Sequence, residues 1–322
     1  MDSGWFERRT HQWSDWRPEL LADLKHRSGT TVSLVIPARD EEATVGEVVS
    51  RVRTELVERI PLVDELVVMD SDSTDTTATR ARQAGATVHH VADVRPDLGH
   101  HHGKGEAMWK SLFVTSGEVM SFLDADLVEW DTHFVSGLLG PLLTDPGIAL
   151  VKAFYDRVLD RSDAPSTLEG GRVTELVARP TLALRWPELS GVVQPLSGEW
   201  AIRRELFEEL SVPTGYGVEL AVLVDTFLRR GVDAVAQVGM GRRAHHHQSL
   251  HGLGTMAAEL LAVADRRVGL GPKDDTVQLR QYGAEGMPMT STLALTERMP
   301  ATKVGPAPSY TQTHEQEAVG RC

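Results

Sequence analysis

The chain has 322 residues, a single cysteine, and a formal net charge of −13 from 33 Lys and Arg against 46 Asp and Glu. This length predicts one large or two fused domains with a substantial core, and the acidic balance argues against a nucleic-acid partner. The lone Cys322 excludes a disulfide framework and a cysteine-based zinc site, and neither a leader nor a membrane-spanning stretch is found, so we expect a cytoplasmic protein without a membrane partner.

The first half alternates between two periodicities. Short apolar runs, typical of buried strands, occupy residues 32–36, 63–69, 87–91 and the run that ends at Asp124. Helical spacing of apolar residues falls between them, at 43–56, 74–83 and 105–114. Such alternation predicts an α/β fold with a Rossmann-like, mostly parallel sheet flanked by helices.

The second half is less regular. It contains strand signals at 148–154 and 234–238, a glycine-rich turn at Gly170-Gly171, and helical spacing at 173–184, 217–230 and 253–268. From about Gly271 the chain is polar, rich in Thr, Pro and Gly, and has little periodicity, so we expect a flexible tail.

Two apolar runs end in paired carboxylates, Asp124-Ala125-Asp126 and Asp70-Ser71-Asp72. The end of a parallel strand opens onto a ligand crevice, and Mg²⁺ or Mn²⁺ prefers carboxylate and phosphate oxygens as ligands. A cation held there can neutralise the diphosphate of a sugar nucleotide, which predicts a nucleotide-sugar glycosyltransferase. Taken alone, either pair is equally typical of solvated aspartates that cap the next helix.

Two further loops fit the same substrate. Residues 37–42 follow the first strand and open a helix, where backbone N–H groups and an acidic side chain can hold a base and ribose. Gly103-Lys104-Gly105-Glu106 presents a lysine between glycines, which can approach phosphate as a point charge, although the spacing of a Walker A loop is absent.

These segments together resemble the glucosyl-3-phosphoglycerate synthases. The resemblance covers about residues 30–270 and lies in PARDEEAT (37–44), GKGEA (103–107), GRVTELVARP (171–180), QPLSGE (194–199) and GYGVE (215–219). It implies a GT-A glycosyltransferase fold and a retaining, Mg²⁺- or Mn²⁺-dependent enzyme. Such an enzyme moves glucose from UDP-glucose to the 2-hydroxyl of 3-phosphoglycerate, toward methylglucose lipopolysaccharides. We also expect a homodimer.

On this basis the chain divides into four parts: an N-terminal helical segment (1–30), a nucleotide-sugar-binding half (31–147), an acceptor-binding half (148–270) and the tail (271–322). The resemblance implies donor contacts by Pro37, Ala38, Asp40, Glu41, Ser71, Lys104, Asp124, Ala125, Tyr216 and Glu219. It implies acceptor contacts by Arg157, Gly171, Arg172, Val173, Thr174 and His247, and metal ligation by Asp124, Asp126 and His245.

The resemblance also implies three catalytic positions. Lys104 stabilises the departing diphosphate, the backbone around Leu196 faces the reacting centre, and Glu219 orients the sugar, with a covalent role for Glu219 left open. Asp40 and His247 each stand where the family usually has Asn. Asp40 is therefore either a reader of the base or an N-cap of the helix that follows.

Two histidine runs, 100–102 and 245–247, could ligate a transition metal. We interpret the first as a polar loop before Gly103, and in the second only His245 gains a ligand role from the resemblance. Two alternative functions remain: mannosyl-3-phosphoglycerate synthesis from GDP-mannose, which Asp40 permits, and an inactive sugar-nucleotide-binding protein. The paired aspartates, the flanked lysine and the Gly-Arg-Val-Thr segment together argue against the latter.

Overall fold

The computed structural model describes residues 3–158, 171–244, 249–272 and 274–306. The N-terminal segment contains α1 (Ser3–Arg9), β1 (Thr10–Gln12) and α2 (Pro18–Ser28). The first half then continues with β2 (Val32–Ala38), α3 (Val45–Val52), β3 (Glu65–Asp70), α4 (Thr77–Ala84), β4 (Thr87–His90), α5 (Lys104–Ser111), β5 (Val119–Phe122) and α6 (His133–Thr144).

The second half begins with β6 (Leu150–Val158). A π-helical turn (Thr174–Ala178) leads into α7 (Arg179–Arg185), followed by β7 (Trp200–Arg203), α8 (Arg204–Glu209), β8 (Val212–Pro213), α9 (Val218–Arg230), β9 (Val235–Ala244) and α10 (Leu250–Arg267). The described chain ends with β10 (Thr276–Tyr282), β11 (Pro288–Ala294) and β12 (Glu297–Arg298).

Eight strands form the central sheet, in the order β1-β9-β6-β7-β5-β2-β3-β4. Neighbouring strands are parallel except around β7, which runs antiparallel to both β5 and β6. The predicted α/β fold with a mostly parallel sheet flanked by helices is therefore confirmed.

The sheet is covered on both faces. Along β2, Leu34 and Ile36 belong to one hydrophobic cluster, which includes residues of α3 and α6, whereas Val35 belongs to a second one with residues of α5 and α9. Successive strand residues point to opposite faces, so a strand buried on both sides must be apolar throughout. This explains why β2 is a continuous apolar run that the sequence reveals easily.

Strand direction places the loops that matter at one edge. The carboxyl ends of β2, β3, β5, β6 and β9 meet there, and because β7 is reversed its amino end arrives at the same edge. The segments after Ala38, Asp70 and Phe122, and the segment before Trp200, are consequently neighbours.

The N-terminal segment contains a strand as well as helices, because β1 pairs with β9 and so extends the central sheet. Within the described chain, no helix is both long enough and apolar enough to cross a bilayer.

Residues 274–306 of the expected tail have regular structure. Here β10 and β11 form a hairpin, β12 pairs with β8, and Leu293 and Leu295 are buried against α10. Most hairpin side chains are exposed, so the sequence is polar although the backbone is regular. Only a few buried residues, such as Leu293 and Leu295, hold the hairpin against α10, and these are too few to produce a periodic apolar pattern in the sequence.

Candidate active site

The loops that follow β2 and β3 are connected by reciprocal hydrogen bonds. The backbone N–H groups of Asp40, Glu41 and Glu42 donate to the side chains of Ser73, Thr77 and Asp75. In return, the backbone N–H groups of Thr74 and Thr76 donate to the carboxylates of Asp40 and Glu42. Of the predicted donor contacts, Pro37 and Ala38 end β2, Asp40 and Glu41 lie in the loop that follows, and Ser71 lies in the loop after β3. The structure therefore brings these residues together.

Asp40 has a left-handed backbone (φ 55°), and its Oδ1 accepts the Thr74 N–H at 2.7 Å. The following helix begins at Val45 with Thr44 as its N-cap residue. The interpretation of Asp40 as an N-cap of that helix is therefore wrong, since its carboxylate caps the neighbouring loop instead.

A lysine between two carboxylates lies at the centre of the edge. The Lys104 ammonium is 2.6 Å from Asp124 Oδ1 and 2.9 Å from Glu219 Oε1. Lys104 begins α5, Asp124 follows β5, and Glu219 lies in the first turn of α9. Burial disfavours the charged amine, but Asp124 and Glu219 outweigh burial and raise the pKa of Lys104. The ammonium stays charged at neutral pH, and 21% of the side chain remains exposed.

Three glycines allow this close approach. A Cβ on Gly103 would lie 2.2 Å from the Thr214 carbonyl oxygen, and one on Gly105 would lie 1.8 Å from the Pro213 carbonyl oxygen. Gly103 also has a φ of 134°, which side chains rarely tolerate. Glycine is therefore required on both sides of Lys104, because the main chain at Pro213 and Thr214, between β8 and α9, packs directly against these two positions.

The third close glycine is Gly198, where a Cβ would lie 2.4 Å from Asp124 Oδ2 and 2.7 Å from Lys104 Nζ. The turn that contains Leu196 thus lies directly against the charged cluster. This is the position expected for a backbone that faces the reacting centre.

The carboxylates fit a divalent cation. Asp126 is exposed, Asp124 is partly exposed, and Ala125 between them is buried, so both carboxylates lie on the open side. Burial, and next the negative charge of Asp126, raise the pKa of the Glu41 carboxyl. Negative charge is therefore concentrated here, and a hard cation with oxygen ligands would relieve it.

The second pair, Asp70 and Asp72, is arranged differently. Asp70 is buried and its Oδ2 lies 2.7 Å from His90 Nδ1, whereas Asp72 is partly exposed and contacts His100. The two carboxylates do not share an open surface, so Asp124 and Asp126 are the better-placed pair for a catalytic cation.

A buried lysine supports the turn at Leu196, and the sequence reasoning missed it. Lys152 on β6 is 1% exposed, and its ammonium donates to the Ser197 carbonyl at 2.7 Å. Burial lowers the pKa of Lys152 to about 7, although the nearby Glu219 favours its charged form. A single lysine within the apolar run of β6 was the available signal, since a buried amine requires a partner.

The predicted acceptor residues occupy the start of the helical segment before α7. Gly171 has a φ of 85° and its carbonyl accepts the Glu175 N–H at 3.0 Å, while Arg172 is exposed and Thr174 is buried. Tyr216 is half exposed, and its N–H donates to Glu259 at 2.8 Å.

The structure describes the remaining predicted site residues only in part. Arg157 lies on β6, but its side chain is outside the described part of the chain. His245 and His247 also lie outside the described residues, and His245 directly follows the last residue of β9.

The chain is similar to known proteins. Residues 33–211 match the sequence model of glycosyl transferase family 2. Glucosyl-3-phosphoglycerate synthase of Mycolicibacterium smegmatis is 46% identical over 92% of this chain and 97% of its own length.

Two crystal structures of the Mycobacterium tuberculosis glucosyl-3-phosphoglycerate synthase are also similar. The complex with Mn²⁺, UDP-glucose and phosphoglyceric acid has a TM-score of 0.79 and 44% identity, over 89% of this chain and 95% of that one. The complex with Mg²⁺ and UDP has a TM-score of 0.81 and 42% identity, over 91% and 98%. At this level of identity and coverage, the chain belongs to the glucosyl-3-phosphoglycerate synthase family of GT-A glycosyltransferases.

Proposed function

We propose that the chain transfers glucose from UDP-glucose to the 2-hydroxyl of 3-phosphoglycerate, with retention at the anomeric carbon and with Mg²⁺ or Mn²⁺ as cofactor. The observation that carries the proposal is the position of Lys104 between Asp124 and Glu219, at the sheet edge where both predicted donor loops begin. The similar Mycobacterium tuberculosis protein binds Mn²⁺, UDP-glucose and phosphoglyceric acid in one structure and Mg²⁺ and UDP in another.

Departure of the diphosphate requires compensation of negative charge. Asp124 and Asp126, together with His245 by family resemblance, would hold the cation, which supplies Lewis-acid stabilisation of the leaving group when bound. Lys104 adds a permanent positive charge that is already oriented by two carboxylates. Because Glu219 is buried and paired with Lys104, we assign it to orientation of the sugar and not to nucleophilic attack.

The acceptor needs local positive charge in a chain of net charge −13. Arg172 is exposed next to Gly171, and a planar guanidinium can bind a phosphate or a carboxylate in a bidentate manner. Val173 and Thr174 are buried and fix the start of this segment. We therefore assign 3-phosphoglycerate to the surface formed by residues 171–174, with Arg157 and His247 as further partners.

The direct test is incubation of the pure chain with Mg²⁺, 3-phosphoglycerate and, in parallel, UDP-glucose, GDP-glucose or GDP-mannose. We expect glucosyl-3-phosphoglycerate from UDP-glucose, identified by mass, with the α-anomer identified by NMR. A mannosylated product from GDP-mannose would establish the alternative donor, and the absence of product from all three donors would favour a binding protein.

Arg172→Lys is expected to raise the KM for 3-phosphoglycerate about tenfold and to leave the KM for UDP-glucose unchanged. The reason is that lysine keeps the charge but loses the bidentate hydrogen bonding, and tenfold corresponds to ~1.4 kcal/mol. Steady-state kinetics with each substrate varied in turn measures both constants. Arg230→Lys, an exposed arginine at the end of α9, is the control. Equal effects on both KM values would assign Arg172 a structural role.

Asp40→Asn is expected to leave the preference for UDP-glucose over GDP-sugars unchanged. Asparagine keeps the oxygen that accepts the Thr74 N–H and also tolerates a left-handed backbone. Asp40→Ala removes that acceptor and should lower the free energy of unfolding by about 1 kcal/mol. Competition between the two donors, and urea unfolding, measure these effects. A changed donor ratio in Asp40→Asn would restore Asp40 as a reader of the base.

We further assign the enzyme to the cytoplasm, as a homodimer that supplies a precursor of methylglucose lipopolysaccharides. The single cysteine supports the reducing compartment. Light scattering on the pure chain measures the oligomeric state.

A further inference from the structure

Three metal-binding side chains from two loops converge beside the donor loops. Asp72 lies two residues beyond the end of β3, and His100 and His102 precede Gly103. His100 Nε2 lies 2.7 Å from Asp72 Oδ2, and His102 Nδ1 lies 3.2 Å from the same oxygen. One ligand atom from each of the three residues lies within 4.8 Å of the other two.

These separations are close to those around a small cation. Zinc binds nitrogen at about 2.0–2.1 Å and carboxylate oxygen at about 2.0–2.2 Å, so ligand atoms of a tetrahedral ion are about 3.3 Å apart. Small side-chain rotations would bring the three atoms to that spacing. Three protein ligands also leave a fourth position for water.

The ligand set selects a different ion from the one at Asp124 and Asp126. Magnesium prefers carboxylates and phosphates, whereas imidazole nitrogen suits zinc, nickel and copper. Two imidazoles and one carboxylate therefore favour a transition metal. The site is also accessible, because the His102 side chain is 71% exposed and that of Asp72 is 37% exposed.

The imidazole of His100, the more buried of the two, makes few other polar contacts. The His100 side chain is 25% exposed, and its Nδ1 has no hydrogen-bond partner in the described part of the chain. Its polar contact to the fold is thus the one from Nε2 to Asp72. The ring also packs edge-on against His102, with centroids 5.1 Å apart, so the two imidazoles are held near one another.

We propose that Asp72, His100 and His102 form a second metal site, selective for a transition metal of the zinc class. The bound ion would connect two loops of the donor side. Asp72 adjoins Ser71, and His102 is separated from Lys104 by Gly103 alone. Metal binding would therefore restrain the loop after β3 against the start of α5. The proposal does not depend on the identity of the sugar donor.

The test is zinc titration of the full chain by calorimetry after chelator treatment, with saturating Mg²⁺ and UDP present to fill the Asp124 and Asp126 site. We expect wild type to bind one more equivalent of zinc than the double variant His100→Ala/His102→Ala. The single variant His102→Ala should retain the site with affinity weakened at least about tenfold. His26→Ala, an exposed histidine on α2, is the matched control and should behave as wild type. Zinc held by His245–His247 is common to all variants and cancels in the comparison.

A measurement on wild type alone complements the variants. Diethylpyrocarbonate modifies accessible imidazoles, so zinc should protect His100 and His102 from modification, as read by peptide mass spectrometry, and leave His26 reactive. Equal zinc stoichiometry and affinity in wild type and the double variant, or no protection of His100 and His102, would reduce the cluster to a hydrogen-bonded contact between loops.

Discussion

Asp126→Ala is expected to lower kcat/KM at ordinary Mg²⁺ by at least about a hundredfold, with the fold intact. The carboxylate is a charged ligand for the cation that stabilises the departing diphosphate, and loss of one such electrostatic element typically costs two to three orders of magnitude in rate. Asp126 is exposed, so its removal leaves no cavity in the core.

Steady-state kinetics at several Mg²⁺ concentrations, with circular dichroism to monitor the fold, measures this loss. Glu129→Ala removes an exposed carboxylate three residues further along the same loop and is the matched control. Near-normal turnover of Asp126→Ala at ordinary Mg²⁺ would contradict the assignment of the metal site.

Arg298→Ala is expected to lower the free energy of unfolding by about 3 kcal/mol. Glu106 on α5 is fully buried, and Arg298 binds it in a bidentate manner, with Nε–Oε2 at 2.7 Å and Nη2–Oε1 at 2.6 Å. Removal of one partner of a buried ion pair leaves an uncompensated charge, which costs several kcal/mol. Lys110 remains 3.6 Å from Glu106 and offsets part of that cost.

Urea unfolding monitored by tryptophan fluorescence measures this effect. The double variant Glu106→Gln/Arg298→Met should recover only part of the stability. The unpaired carboxylate is gone, but the buried Lys110 loses its carboxylate partner and keeps its hydrogen bond to the Val91 carbonyl. Arg8 pairs with Asp233 on the surface, so Arg8→Ala should change the stability little and serves as the control. Equal losses in Arg8→Ala and Arg298→Ala would contradict the buried-pair argument.

The sequence predicted those parts of the fold whose signal is local. Strands β2, β3 and β5 are short apolar runs with polar residues at their carboxyl ends, so both the strands and the loops at 37–41, 71 and 124–126 could be found. Strands β1 and β7 are three and four residues long, and their pairing partners are distant in sequence, so periodicity could not identify them.

Two buried polar contacts, one of them beside the site, were also missed. Arg298 is 192 residues from Glu106, and no pattern in a polar segment predicts that contact. Lys152 did carry a signal, as a charge within an apolar strand, but its partner is a backbone carbonyl that the sequence does not specify. From the sequence, Asp40 could be interpreted either as a reader of the base or as an N-cap of the next helix. The N-cap interpretation is excluded only by the hydrogen bond from the Thr74 N–H to the Asp40 carboxylate, which the sequence does not reveal.

The reversed strand β7 has an effect on how this active site can vary. Phe122 on β5 pairs with Trp200 on β7, and Asp124 and Gly198 each lie two residues beyond that pair, one leaving the sheet and the other entering it. The distance between the carboxylate and the turn at Leu196 is therefore set by main-chain pairing. Substitutions in the core cannot adjust it gradually, since a shift in register moves a strand by whole residues and turns its side chains to the other face. We therefore expect a change of donor or acceptor in this scaffold to arise in the loop after β2 and in the segment at 171–174, while this spacing stays constant.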